Sequence, residues 1–145
     1  MKVWQIATGE PGRDYRELFF DYDVMILGCN TDLGDALEND YTGVGSNAPE
    51  NQVNSFARKP EPGDRVIMRF AHDVIGVGQI PEPQGDEQLY TFNEAFRCVY
   101  GWDLCHCRRV IWAEEGYDLG ELADVFQDAK QKPSFTQVHE DHIVN

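Results

Sequence analysis

Residues 101–112 read GWDLCHCRRVIW and combine two tryptophans, a carboxylate, a histidine and two adjacent arginines in a run typical of a β-strand. Alternation places Trp102, His106 and Arg108 on one side of such a strand and Asp103 and Arg109 on the other. Neither side is purely polar, so we expect both to be partly covered. Guanidinium groups beside aromatic faces suit stacking on a base and pairing with phosphate. The segment therefore indicates a base-reading site, with core packing as the alternative for both tryptophans.

Other side chains supply the remaining parts of such a site. A pocket for a flipped base needs rings to stack on it and polar groups to bond its edge. The candidate rings are Trp4, Tyr22, Tyr41, Phe70 and Trp102, of which Trp102 and Tyr22 are expected to stack. The candidate edge-reading groups are Asp35, Asn47 and Asp103, since a carboxylate suits the exocyclic amine of cytosine. Asp103 has the alternative of pairing with Arg108 or Arg109. The predicted phosphate contacts are Arg13, Arg58, Lys59, Arg69, Arg108 and Arg109.

The charge of the chain limits how it could bind nucleic acid. Its 145 residues carry 12 basic and 26 acidic side chains, a net charge of −14. Phosphate attraction is the usual source of non-specific binding, so any contact with DNA must be local. No basic residue lies between Arg16 and Arg58, and this clustering permits a basic groove on an acidic body. A solvated acidic protein that binds another protein or a small ligand is equally consistent with the composition.

Other kinds of chemistry find little support in the sequence. His72 and His106 fall in hairpin or strand contexts and no nucleophile-elbow sequence occurs, which argues against a hydrolase. Alternation aims His106 away from Cys105 and Cys107, and their spacing matches no common zinc pattern. There is no P-loop and no dinucleotide fingerprint. We therefore expect no catalytic residue, no metal and no cofactor, and we expect the four cysteines to be reduced and mostly buried.

The chain as a whole predicts one α+β domain over residues 1–132, followed by a polar tail or linker at 133–145. Strands are expected at 3–8, 24–27, 65–70 and 74–80, and one or two long strands at 90–112, bent at Gly101. Helices are expected after Asp14, at 51–57 and around Leu119 to Phe126. Gly76 and Gly78 would let a backbone or an aromatic ring approach their strand closely. The sequence has no membrane-spanning apolar run and no visible secretory signal, so a cytoplasmic location is expected.

With these pieces placed, the chain resembles the PUA-like superfamily, specifically its EVE, YTH and ASCH group of modified-base readers. The resemblance covers most of residues 1–112. It rests on WQIATGEPGRDY at 4–15, VMILG at 24–28, PGDRVIMRF at 62–70 with its return GVGQI at 76–80, and WDLCHCRRVIW at 102–112. Their order is most similar to the EVE-type domains found at the N-terminus of modification-dependent restriction endonucleases, including those fused to HNH nucleases or McrB-type motors.

The resemblance implies a curved, mostly antiparallel sheet or partial β-barrel with small flanking helices. It also implies a prokaryotic domain that flips a modified base out of double-stranded DNA, while a fused or partner nuclease domain cleaves. The family's pocket maps to residues 7–9, 29–31 and 70–72, which adds Ala7, Cys29 and Phe70 to the expected base pocket. Gly28 and Cys29 stand where some relatives place a cage tryptophan. This favours 5-methylcytosine or 5-hydroxymethylcytosine over N6-methyladenine, with RNA as the alternative ligand of the same fold.

Overall fold

The computed structural model describes residues 1–10, 13–28, 34–41, 52–70, 73–99, 101–113 and 135–138. Within them the chain forms ten strands, two α-helices and one 3-10 turn at Glu94–Phe96. The strands are β1 (Val3–Ala7), β2 (Gly9–Glu10), β3 (Arg13–Asp14), β4 (Val24–Leu27), β5 (Arg65–Phe70), β6 (Asp73–Gln79), β7 (Tyr90–Phe92), β8 (His106–Arg109), β9 (Ile111–Trp112) and β10 (Phe135–Val138). The helices are α1 (Arg16–Tyr22) and α2 (Gln52–Arg58).

Five strands form the main sheet in the order β10-β1-β5-β6-β9. β1 runs parallel to β5, with Trp4 opposite Val66, and the other pairs are antiparallel. Residues 3–6 of β1 are all buried, as expected of an interior strand covered on both faces. The predicted first strand and the predicted hairpin of β5 and β6 are therefore confirmed.

A smaller antiparallel sheet, β4-β8-β7, packs beside the main one. The chain passes from β8 to β9 through Val110, whose N–H donates to the carbonyl of Asp23 at 3.0 Å. The indole Nε1 of Trp112 donates to the carbonyl of Val24 at 2.9 Å and ties the sheets together again. One hydrophobic core includes residues of both sheets and both helices. The mixed α+β class and its mostly antiparallel pairing are as the sequence predicts.

Both described helices form where the apolar spacing predicts them. α1 buries Phe19, and it ends at Asp23, whose left-handed backbone (φ 50°) lets its N–H bond the Phe19 carbonyl. α2 buries Val53 and Phe56, which lie three residues apart on one face. No helix in the described part of the chain is long and apolar enough to cross a membrane. The helix predicted around 119–126 lies outside the described residues.

The long strands predicted for residues 90–112 are wrong, because the chain reverses direction within this segment. Cys98 and Gly101 adopt positive φ angles of 62° and 84°. Val99 and Trp102 face each other across the turn through two backbone hydrogen bonds of 2.7 and 3.0 Å. The segment consequently yields three short strands, and the predicted bend at Gly101 is part of this turn.

The polar tail predicted from residue 133 contains a strand of the main sheet. β10 pairs antiparallel with β1, and the ring of Phe135 stacks on Trp4 with centroids 5.1 Å apart. Phe135 and Val138 are both buried, so these two apolar positions attach the segment to the core. Polar residues on either side of this four-residue strand hide it in the sequence.

A buried carboxylate, Asp64, fastens the beginning of β1 to the turn before β5. It accepts hydrogen bonds from the backbone N–H of Lys2 (2.9 Å), the indole of Trp4 (3.0 Å) and the backbone N–H of Glu61 (2.9 Å). Burial alone would raise the pKa of Asp64, but the bonds from Trp4, Lys2 and Glu61 outweigh it. They hold this pKa below its ordinary value of 3.8.

Replacing Asp64 with asparagine should lower the free energy of unfolding by about 2 kcal/mol near pH 7, because an amide cannot accept from three donors placed around a carboxylate. A carboxylate with a lowered pKa stabilises the fold above its unfolded pKa and loses this contribution as pH falls through its folded pKa. The wild-type advantage should therefore shrink below about pH 4. Urea unfolding between pH 7 and pH 3 measures it, with the exposed Asp86→Asn as control. A difference that did not change with pH would contradict this prediction.

Candidate functional site

A partly enclosed pocket of about 130 Å³ opens where the ends of β1 and β4 meet α1 and the segment before β8. Its lining is mostly apolar, with aromatic side chains from two parts of the chain. The lining residues are Ala7, Thr8, Gly9, Tyr15, Phe19, Ile26, Gly28, Trp102 and Leu104. Of the residues predicted for the base pocket, Ala7 and Trp102 are among them.

The aromatic side of the pocket is formed by Trp102 and Tyr15. Their ring centroids are 5.9 Å apart and their planes are inclined by 49°. Trp102 is half-buried and held by the Val99 turn, while Tyr15 precedes α1 and is buried. Of these two lining rings Trp102 is the more exposed, and Tyr15 packs against it.

The width of the pocket depends on Gly28, directly after β4. A Cβ atom at this position would lie 2.7 Å from the Cδ2 of Leu104 and 3.7 Å from the Cε3 of Trp102. Any larger residue would therefore displace Leu104 and narrow the space beside the tryptophan ring. Because Gly28 has no side chain, the space beside Leu104 and the Trp102 ring stays open.

Four of the predicted pocket residues lie elsewhere in the described structure. Tyr22 is 60% exposed and packs edge-on against Phe96. Phe70 faces the guanidinium of Arg16 at 5.3 Å. The Asp35 carboxylate accepts a hydrogen bond from the backbone N–H of Leu37, two residues later in the chain. Asp103 bonds the N–H of Cys98 (3.0 Å) and lies 3.7 Å from Arg97, so its arginine partner is neither of the two expected.

The other residues predicted for the base pocket are either buried in the core or lie outside the described residues. Trp4 and Tyr41 are buried in the core. Cys29 and Asn47, predicted for the pocket and its polar edge, lie outside the described residues.

Two of the predicted phosphate contacts, Arg108 and Arg69, are buried, which corrects that assignment. Arg108 is 6% exposed and donates to the carbonyls of Phe56 (3.4 Å), Ala57 (2.8 Å) and Pro60. Its burial lowers the pKa of the guanidinium to about 10. Arg69 is 8% exposed and donates from Nε to the side chain of Gln5 at 3.0 Å, and burial lowers its pKa as well. Neither side chain is placed to contact phosphate.

The other predicted phosphate contacts are nearer to solvent. Arg109 is part-exposed and forms an ion pair with Glu87. Arg58 donates from Nη2 to the carbonyl of Ala36 at 2.6 Å, and Lys59 is exposed. The side chain of Arg13 is outside the described residues.

His106 lies in the interior and contacts Tyr90. It is fully buried, and its Nδ1 lies 2.8 Å from the hydroxyl of Tyr90. That hydroxyl also accepts from the N–H of Ala36 at 3.1 Å, and burial raises the pKa of Tyr90. The neighbouring Cys107 is a buried free thiol whose pKa burial raises to about 12, so it stays protonated.

Sequence reasoning missed the remaining lining residues for an identifiable reason. Phe19 lies in the helix expected after Asp14 and Tyr15 directly precedes it, but apolar spacing does not say whether a side chain covers core or a cavity. Thr8 ends the first predicted strand and, like Gln5, is a polar residue that is buried. That polar strand end, followed in the sequence by two glycines and a proline, is the signal that could have located the pocket.

No protein-family model matches this chain, and neither does any curated protein or solved structure.

Proposed function

We propose that this chain reads a modified cytosine in double-stranded DNA, 5-methylcytosine or 5-hydroxymethylcytosine, by holding the flipped base in the Trp102 pocket. The main support for this proposal is the pocket of about 130 Å³, which has aromatic side chains on one side. A cavity of about 150 Å³ holds one benzene ring. The pocket therefore suits a single pyrimidine ring better than the two fused rings of a purine.

The position of the pocket supports a PUA-like, EVE-type domain as its identity. Residues 7–9 at the end of β1 line it, and so does Gly28 at the end of β4. These are the places, or lie next to the places, that the sequence resemblance assigns to base binding. The described lining carries no carboxylate, histidine, cysteine or amine. In this proposal the chain recognises the base, and a fused or partner nuclease domain cleaves the DNA.

The charge distribution predicts a shallow dependence of binding on salt. Each phosphate contact adds about −0.9 to the slope of log K against log salt. The net charge is −14, and Arg69 and Arg108 are buried. Stacking and edge contacts must therefore supply most of the affinity, and this favours a base presented outside the helix.

Replacing Trp102 with alanine should weaken binding to a modified duplex by about 5- to 150-fold, because base-aromatic stacking is worth about 1–3 kcal/mol. The preference over unmodified cytosine should fall with it. Fluorescence anisotropy with duplexes carrying cytosine, 5-methylcytosine, 5-hydroxymethylcytosine or N6-methyladenine measures both. Tyr22→Ala is the matched control, since this exposed ring lies outside the pocket and its loss should leave binding unchanged. Equal effects of the two variants would contradict the proposed pocket.

A small heteroaromatic ligand is the second candidate, favoured by the net charge of −14, which disfavours a polyanionic partner. The free modified nucleoside and a single-stranded RNA, titrated in the same assay, separate the alternatives. Tight binding of the nucleoside with no binding of any duplex would replace the DNA reader by a small-molecule receptor.

A further inference from the structure

The main sheet has a second buried face, opposite the one that packs on the helices and the smaller sheet. Along β1, Trp4 and Ile6 belong to the hydrophobic core, so alternation puts Val3 and Gln5 on the other side. We call that side the outer face. Strand register places on it the buried residues Val3, Gln5, Ile67, Arg69, Val77 and Val138.

The apolar residues of the outer face are as well shielded from solvent as those of the core. Four of them are at most 7% exposed, and none is among the described core residues: Val3, Ile67, Val77 and Val138. Both described helices and the smaller sheet contribute their buried side chains to the core, on the opposite side of the sheet. A sheet face stays buried only when another layer packs against it, so a further part of the chain or a partner covers this one.

The connection from β9 to β10 is placed to supply that layer. These two strands lie at opposite edges of the five-stranded sheet, and the 22 residues 113–134 join them. Neighbouring strands are about 4.8 Å apart, so the connection has to travel about 19 Å across the sheet. On the core side the helices and the smaller sheet stand in the way. The direct path that remains runs over the outer face.

The sequence of this connection suits such a surface. The helix predicted around Leu119 to Phe126 lies outside the described residues, and its apolar positions Leu119, Leu122 and Phe126 recur at spacings of three and four. Residues 114–132 also carry six acidic and two basic side chains, while the outer face holds the guanidinium of Arg69. The connection and the outer face therefore match in apolar character and in charge.

We propose that the outer face is the docking surface for residues 114–134 of the same chain, with Leu119, Leu122 and Phe126 turned toward the sheet. Apolar contact between the two then accounts for the shielding of the outer face. In this arrangement Arg69 faces an acidic stretch of its own chain and not a nucleic acid. The connection also joins the two edge strands of the sheet across its whole width.

A thiol introduced on the outer face reports directly on the cover. Val77→Cys changes the side chain little in size, and the tryptic peptide 70–97 contains no native cysteine, so its alkylation by N-ethylmaleimide can be followed by mass spectrometry. Cys107, which is 3% exposed in the core, is the internal reference. In the folded full chain we expect both thiols to react at least about a hundredfold more slowly than in urea. Fast alkylation of the introduced thiol beside a protected Cys107 would overturn the proposal.

A substitution in the connection tests which segment provides the cover. In the Val77→Cys chain, Leu122→Asp should raise the alkylation rate of the introduced thiol relative to Cys107 by about tenfold or more, because a charge disfavours burial against the sheet. Leu122→Ala replaces this variant if it does not fold. Glu121→Gln is the matched control and should leave the ratio unchanged. A ratio that the Leu122 substitution does not change, or that Glu121→Gln raises equally, would overturn the proposal.

A second copy of the chain is the other occupant that this experiment detects. Protection by the chain's own connection does not depend on protein concentration, and light scattering should give the monomer mass of 16.5 kDa. Protection that falls on dilution, together with a dimer mass, would overturn the proposal in favour of a self-association surface. Neither result depends on whether the chain binds DNA.

Discussion

Replacing Arg108 with methionine is expected to lower the free energy of unfolding by about 3–5 kcal/mol, because it leaves buried acceptors without their donor. Arg108 extends from β8 to the carbonyls of Phe56 and Ala57 in the last turn of α2 and to that of Pro60 just beyond it. The last carbonyls of a helix have no partner inside the helix, so this side chain satisfies them. In a domain of this size the melting temperature should fall by roughly 10 °C or more.

Arg109→Met is the matched control, one residue along the same strand. Arg109 is part-exposed and pairs with Glu87, and surface ion pairs contribute about 0–1 kcal/mol. Urea unfolding of both variants measures the difference. Similar losses for the two would show that Arg108 does not support α2. A binding defect in the Arg108 variant without any loss of stability would instead restore the phosphate contact that the sequence suggested.

Much of the fold follows from local sequence patterns. Alternating or apolar runs predicted β1, β4, β5 and β6, and helical spacing of apolar residues predicted α1 and α2. The prediction of long strands over residues 90–112 was wrong because the alternating pattern continues through residues at which the chain reverses direction. Leu104 bonds the carbonyl of Phe96 and Asn93 bonds that of Cys105, and these contacts between distant residues do not leave a periodic signal. A positive φ at a cysteine is equally hard to read from sequence.

The candidate site could be predicted only in part, for a related reason. Trp102 was named for its residue type and Ala7 through the resemblance, and both line the pocket. The contacts of the charged residues were predicted less well, because the type of a charged residue does not reveal which group it binds. An arginine suits phosphate and a helix end equally, and the burial of Arg108 depends on where α2 ends. Asp103 likewise finds Arg97 through a turn that the sequence does not show.

The two glycines of β6 allow close approach of other side chains, as the sequence suggested, and the approach of β9 to Gly78 can be tested. A Cβ atom at Gly78 would lie 2.6 Å from Val110 Cγ1, 2.7 Å from the Trp112 ring and 2.8 Å from the carbonyl oxygen of Ile111. One of these neighbours is backbone, so it cannot move without disturbing the pairing with β9. Gly78→Ala should therefore lower the free energy of unfolding by about 3 kcal/mol, at the upper end of overpacking costs.

Gly76→Ala, two residues earlier on the same strand, separates this steric effect from the general consequence of adding a methyl group. There a Cβ atom would meet the tip of the Phe20 ring at 3.3 Å and the side chain of Met68 at 3.5 Å, both of which can shift. Glycine-to-alanine changes that fit also gain about 0.4–1 kcal/mol from the unfolded chain, so this variant should be near neutral. Thermal and urea unfolding of the pair give the comparison. Equal stability of the two variants would mean that β9 yields to the added methyl group, and that Trp112 does not fix the junction of the two sheets.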